Sequence, residues 1–346
     1  MIYSLNDISF DISIEKCFQN LRPHPKFSHC TFDNYIPDEN YPSQIYIKQT
    51  LIEKIARLNE FKNRPKKSGK GFFGFLNNKG SSESLPVKNL YMDGGYGVGK
   101  THLISACYNT ANVNKAFMSF GDLNYFFVYW GVEKCIDIFS RLDILLIDEF
   151  ELDDPATTRM IAKFFADINK NTLIITTSNT LPSDLGKFRF QADEFARELG
   201  IIADTFKTVI IDGEDYRKKK QQWKRKVHDE KFEEFFNQDC SESKLLVGFD
   251  ELIHKLEENH PFKYFVIPEQ VESIFIDGLK PFPHLNNALR FSHFVDSCYY
   301  YNTNIFIKTE AHLVDIFSRE MLESCFQKKL LRCLSRLGEL SIFFHK

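Results

Sequence analysis

Residues 92–103 read MDGGYGVGKTHL and contain the pattern Gly94-x-x-x-x-Gly99-Lys100-Thr101. Glycines at this spacing let successive backbone N–H groups turn inward onto phosphate oxygens. Lys100 can then reach β- and γ-phosphates, the Thr101 hydroxyl can bind Mg²⁺, and a helix beginning here adds the positive end of its dipole. Context decides whether such a loop is more than a run of glycines. Upstream, residues 87–92 (VKNLYM) have the make-up of a short strand; downstream, residues 102–108 (HLISACY) are apolar at helical spacing and free of proline. Strand, loop and helix come in the order a nucleoside triphosphate site needs. The expected phosphate-binding residues are therefore Gly94, Gly95, Tyr96, Gly97, Val98, Gly99, Lys100 and Thr101, with ATP and Mg²⁺ as the cofactors.

The same alternation continues on the C-terminal side. Strands are expected at 116–120 (AFMSF), 144–147 (ILLI) and 173–177 (LIITT). Helical stretches fall around 122–139 and 155–168, and a further helix and strand reach residue 211. Near-continuous apolar strands separated by helices imply a parallel sheet covered on both faces, an α/β fold. The strand at 144–147 runs into Asp148-Glu149, two carboxylates at a strand end after a phosphate loop. This is the Walker B arrangement, in which Asp148 holds Mg²⁺ through water and Glu149 polarises the water that attacks the γ-phosphate. The strand at 173–177 leads to Asn179, which could reach that water or the γ-phosphate as the sensor of AAA+ ATPases does, although taken alone an Asn before Leu-Pro reads more readily as a turn residue. Arg189 and Arg197 follow. Either could neutralise transition-state charge at a neighbouring subunit's nucleotide, although a surface arginine more often pairs with a helix carboxylate.

The bulk of the chain sets limits on what else it does. At 346 residues it can hold two units of ordinary domain size. A net charge of −3 provides no basic field, so nucleic acid is not an expected bulk partner. Eight cysteines, with no Cys-x-x-Cys pair, argue against structural zinc and fit free thiols in a reducing cytoplasm. No stretch approaches 18 apolar residues, and the first twenty lack a signal-peptide pattern. The 35 phenylalanines, beside abundant Lys, Asn and Ile, are consistent with codon bias of an AT-rich genome.

Four segments follow from this pattern. Residues 1–60 are expected to form an N-terminal helical segment, with 45–58 (IYIKQTLIEKIARL) amphipathic. Residues 61–84 are a basic, Phe-rich linker or loop, in which Phe72, Phe73, Phe75 and Leu76 either belong to a flexible connector or touch a partner or membrane surface. Residues 85–216 make the nucleotide-binding core, and 217–346 a C-terminal α/β region. There, 273–277 (SIFID), a helix over 287–300 and 304–308 (NIFIK) repeat the strand–Asp–helix–strand order of the core. Asp277 is followed by Gly278 rather than Glu, so this unit has no evident hydrolytic base. Residues 217–226 (RKKKQQWKRK) read as a solvated connector.

Taken in order, "FSHCTFDNYIPDENYPSQ", "GFFGFLNNK", "DEFELDDPATTRMIAKFF", "TTSNTLPSDLGKFRFQADEFARELG", "IDGEDYR", "GFDEL", "NALRFSHFVDSCYYYN" and "LLRCLSRLGEL" resemble the ZapE-type (AFG-like) AAA+ ATPases. These are bacterial cell-division proteins with mitochondrial relatives, and the likeness runs from about residue 25 to 340. It implies a P-loop AAA+ type parallel sheet with helices on both faces and ATP hydrolysis in a homo-oligomer, either a ring or a transient assembly. Remodelling of a protein partner, the FtsZ ring, would take place in the cytoplasm at the division site, with possible peripheral membrane contact. The resemblance places the sensor at Asn179, the finger at Arg197 with Arg189 as second choice, and an adenine-flanking segment at Tyr35 and Pro42-Ser43-Gln44. Arg290 and Arg336 are candidates for a second sensor. Two other functions stay open: a DNA-replication initiator or helicase loader, which also carries "TFDNY" before such a core, and an adaptor in membrane-protein quality control.

Overall fold

The apolar runs of the sequence become parallel strands in two separate sheets. In the computed structural model, the described residues are 1–64, 85, 87–95, 97–152, 155–182, 185, 195–214, 226–228, 231–324 and 326–345. Among them the strands are β1 (Ile2–Tyr3), β2 (Leu90–Gly94), β3 (Lys115–Ser119), β4 (Ile144–Asp148), β5 (Leu173–Ser178), β6 (Lys207–Ile211), β7 (Lys226–His228), β8 (Lys244–Gly248), β9 (Ser273–Leu279), β10 (Asn304–Thr309) and β11 (Ser341–His345). The chain divides into two units. One comprises Leu21–Pro23 and Phe27–Lys220; the other comprises Met1–Asn20, His24–Lys26 and Gln221–Lys346.

The unit that carries the glycine loop is a five-stranded sheet of order β3-β4-β5-β2-β6, parallel throughout. One face packs Leu90, Met92, Ile144, Leu146 and Ile175 against helices Pro42–Asn63 and Lys100–Thr110, through Ile47, Leu51, Ile55, Leu103 and Ala106. On the opposite face an aromatic cluster gathers around Tyr91. Tyr91 lies 6.0 Å from Phe150 and 5.9 Å from Phe206, and Phe165 lies 6.1 Å from Phe150. Each such side chain taken out of water contributes about 1.5–3 kcal/mol, and two covered faces explain why the strands read as unbroken apolar runs. The sheet with helices on both faces matches the sequence expectation. The helical stretch around 122–139 is instead two helices, Phe120–Trp130 and Val132–Phe139, broken at Gly131, whose φ of +81° a side chain would disfavour.

The second unit is a six-stranded parallel sheet of order β1-β8-β9-β10-β11-β7. From β8 to β11 the strands are neighbours in chain order, and crossovers of one hand keep their helices on one face. There Val247, Ile274, Ile276, Ile305 and Ile307 meet Leu252, Phe291, Val295, Leu330 and Leu337. Alternate residues point the other way. Phe275, Phe306 and Phe344 are covered on that side by Phe232, Phe235 and Phe236 of helix Phe232–Gln238. These six phenylalanines form a second apolar layer on that face.

One expectation needs correction here, and two candidates can be placed. Residues 1–60 are not one helical segment. β1 pairs with β8, and Leu5, Ile8 and Phe10 lie in the core of the second unit, whereas helix Pro42–Asn63 belongs to the loop-bearing unit. Arg290 and Arg336, the second-sensor candidates, both fall in the second unit, and Arg336 is engaged within it. Asp296 accepts from Arg332 at 2.7 Å and pairs with Arg336, which also donates to the Tyr300 hydroxyl at 3.1 Å. A buried charge needs such a partner, and Asp296 is 7% exposed. Among the described residues, no helix is long and apolar enough to cross a membrane.

Candidate active site

Parallel strands bring their carboxyl ends to one edge, where the loops of α/β sheets bind ligands. In the loop-bearing unit the register aligns Ser119 with Asp148, Asp93 with Ser178 and Gly94 with Ile211 along that edge. The close approach of β6 explains Gly94: a β-carbon there would meet the Ile211 carbonyl oxygen at 2.5 Å. Gly99 has a φ of +89° and lies under the Tyr35 ring, so it too tolerates no side chain.

Lys100 opens helix Lys100–Thr110 and is 8% exposed. Its ammonium donates to the carbonyls of Gly94 at 2.7 Å and Gly95 at 2.6 Å, and to Asn179 Oδ1 at 2.8 Å. The loop lysine and the Asn that follows β5 are therefore in direct contact. Asp148 ends β4 beside them and accepts hydrogen bonds from Thr101 and Thr177. Burial, and then the neighbouring Glu149 charge, push the Asp148 carboxyl up to about 6, while the Thr177 and Thr101 hydroxyls and Lys100 oppose that rise. Glu149 sits in the left-handed backbone region at φ +55°, a conformation of order 1 kcal/mol or more for a residue with a β-carbon. Its N–H donates to Thr177 Oγ1 at 3.0 Å, and the next N–H, of Phe150, donates to the Thr177 carbonyl at 2.7 Å.

The adenine-side candidates also gather at this edge, although their polar atoms are engaged by the main chain. The Tyr35 hydroxyl donates to the Val98 carbonyl at 3.1 Å, and burial pushes it up to about 12. Gln44 is 6% exposed. It donates to the Asp212 carbonyl at 2.9 Å and accepts from the Asp38 N–H at 2.9 Å. The two side chains brace the loop and the end of β6, forming a wall rather than free recognition groups. Arg197 is exposed near the start of helix Ala196–Thr205 and is not among the residues at the strand edge described above. Tyr96, Arg189, Phe72, Phe73, Phe75 and Leu76 lie outside the described residues.

Two groups at this edge escaped the sequence reading. Thr177 looks like any β-branched strand residue, and nothing local marks its hydroxyl. Asp122 caps helix Phe120–Trp130 through Ser119; its carboxyl is pushed up to about 6, chiefly by burial and secondarily by Glu149. Ser119-x-x-Asp122 is a recognisable capping pattern, but only the register of β3 against β4 brings it beside Asp148.

With this geometry in place, the relatives fall into order. A family profile described as AFG1-like ATPase matches residues 13–244 and 239–343. The chain belongs to the AFG1-like ATPase family. It is accordingly a nucleotide-binding enzyme that hydrolyses ATP, and the matched region takes in most of both units. Among solved structures, the DnaI structure is similar at 17% identity, covering 55% of this chain and 91% of that one with a TM-score of 0.41. The DnaC helicase loader is similar at 16% identity, covering 54% and 99%, with a TM-score of 0.35. The replication initiator DnaA bound to AMPPCP and single-stranded DNA is similar at 14% identity, covering 91% and 92%, with a TM-score of 0.39.

In this AFG1-like ATPase, replacing Lys100 by Ala removes a cation that can donate to phosphate oxygens. Charge-assisted hydrogen bonds contribute about 1.5–3 kcal/mol, so ATP affinity should fall roughly 10- to 100-fold. Equilibrium titration with a fluorescent ATP analogue measures this; parent affinity in Lys100→Ala would show that the lysine does not face the phosphates.

Proposed function

We propose that this protein uses ATP hydrolysis at the β2–β4–β5 edge to remodel a protein partner, with FtsZ polymers as the partner. The observation that carries the hydrolytic reading is the convergence of Lys100, Asn179, Asp148 and Thr101, with Glu149 fixed beside them. In this reading Lys100 leaves its carbonyl partners for the β- and γ-phosphates. Glu149 draws the proton from the attacking water, and Asn179 holds that water in line. Thr101 and Asp148 are a hydroxyl and a carboxylate in contact, the hard oxygen donors that suit Mg²⁺, and they are the residues that would hold it. When bound, Mg²⁺ would neutralise charge on the β- and γ-phosphate oxygens.

The choice of partner rests on the ZapE-type resemblance of the motifs, and the choice of a ring on the Arg197 position within them. Glu149→Gln should hold ATP without hydrolysing it and so keep the partner bound. Pelleting with FtsZ polymers and ATP should bring down Glu149→Gln but not Lys100→Ala. Failure of Glu149→Gln to pellet, while it binds ATP normally, would remove FtsZ from this account.

A further inference from the structure

Thr177 is a buried strand residue, 1% exposed, two positions before Asn179 on a strand adjacent to β4. A strand-core position of this kind is usually filled by valine or isoleucine, and a hydroxyl there must find partners. It finds two, both on the Walker B residues. Thr177 Oγ1 donates its one proton to Asp148 Oδ1 and accepts from the Glu149 N–H at 3.0 Å. A single oxygen thus ties the carboxylate of one residue to the main chain of the next. The surrounding backbone extends the same grip. Phe150 N–H donates to the Thr177 carbonyl at 2.7 Å, and the Ser178 hydroxyl donates to the Phe150 carbonyl at 2.7 Å.

The grip falls where the main chain most needs it. Glu149 has a φ of +55°, in a region that residues with a β-carbon adopt only when their surroundings hold them there. Relaxed to ordinary extended backbone, Glu149 would project its carboxylate in another direction. Its N–H and that of Phe150 are bound on either side of the Glu149 carbonyl, so the turn that aims this side chain is held from β5.

We propose that Thr177 is a positioning residue for ATP hydrolysis, its hydroxyl setting the Asp148 carboxylate and the Glu149 main chain in one fixed relation. The proposal rests on the reading of Glu149 as the base. Thr177 touches neither phosphate nor water in this role; it acts through the two residues it holds.

Thr177→Val keeps the shape and deletes the oxygen, Thr177→Ala deletes it without placing a methyl group against the carboxylate, and Thr177→Ser keeps it. Steady-state phosphate release, ATP titration and thermal melting are measured for all three. Because residues that orient a ligand or base typically matter by about 10- to 100-fold, kcat should fall by that factor in Thr177→Val and Thr177→Ala, with ATP affinity within about 3-fold of the parent. Thr177→Ser should recover most of the lost kcat. In a Glu149→Gln background, Thr177→Val should cause little further loss, since both changes act on one step. If Thr177→Val does not fold, Thr177→Ala and Thr177→Ser carry the comparison. Parent kcat in the hydroxyl-free variants would overturn the proposal. So would an equal loss in Thr177→Ser, or a loss confined to ATP affinity. Parent turnover in Glu149→Gln would instead remove the base itself, a failure read from that variant alone and distinct from any Thr177 result.

Discussion

Glu149→Gln is expected to bind ATP as tightly as the parent and to hydrolyse it about 10²- to 10⁴-fold more slowly, the usual contribution of a positioned general base. The substitution is nearly isosteric. The bond from the residue 149 N–H to Thr177 Oγ1 is made by the main chain, and Gln leaves it in place. Lys100 and its contact with Asn179 are likewise untouched. What changes is the loss of a basic oxygen and of one negative charge. That charge is the second cause, after burial, of the upward push on Asp148, so in Glu149→Gln the Asp148 carboxyl titrates lower. A carboxyl whose titration moves down is more completely ionised near neutral pH, which favours rather than weakens its capacity to hold a cation. Loss of turnover with retained ATP binding therefore isolates the base. Single-turnover phosphate release beside equilibrium ATP titration checks it, and parent-like turnover would take Glu149 out of the mechanism.

How much of this was legible in the sequence depended on how local each signal was. The glycine loop, its strand and its helix are consecutive, and β4 announces itself as an apolar run ending in Asp148-Glu149. Their encoding lies within a dozen residues each, and the sheet with two covered faces follows from the repeat of such runs. Contacts between distant residues left no such trace. Leu5, Ile8 and Phe10 carry no strong periodicity, and their partners around β8 and β9 are more than 200 residues away, so the first twenty residues read as a prelude to the helix at 42–63. Arg336 sits in a helix among other basic residues. Only the packing of helix Gln327–Leu340 against Leu285–Tyr301 reveals Asp296 as its partner. Thr177 is the sharpest case, because its role depends on the register of β5 with β4 and on a left-handed turn that no residue type at position 149 signals.

Arg197→Ala should bind ATP normally and hydrolyse it on the order of 10³-fold more slowly or worse, the loss expected when an arginine supplied in trans is removed. Its exposure near the start of helix Ala196–Thr205 leaves the guanidinium accessible from outside, as a residue serving another copy's nucleotide must be. An exposed arginine that formed only a surface ion pair would change stability by at most about 1 kcal/mol and turnover hardly at all, so the size of the effect separates the two roles. Mixing sharpens the test. Lys100→Ala has a crippled site of its own but an intact Arg197, and Arg197→Ala has the reverse. Where the two meet across a mixed interface, the intact arginine faces a competent site, so the mixture should hydrolyse ATP faster than either variant alone, with a maximum at intermediate ratios. A residue acting within its own chain gives only the average of the two rates at every ratio. Arg189→Ala, taken through the same titration, decides between the two arginines of this segment: the finger is the one whose loss is rescued in trans. If neither is rescued while both variants fold and associate, these arginines act within their own chains, and the inference of a ring built on shared sites fails with them.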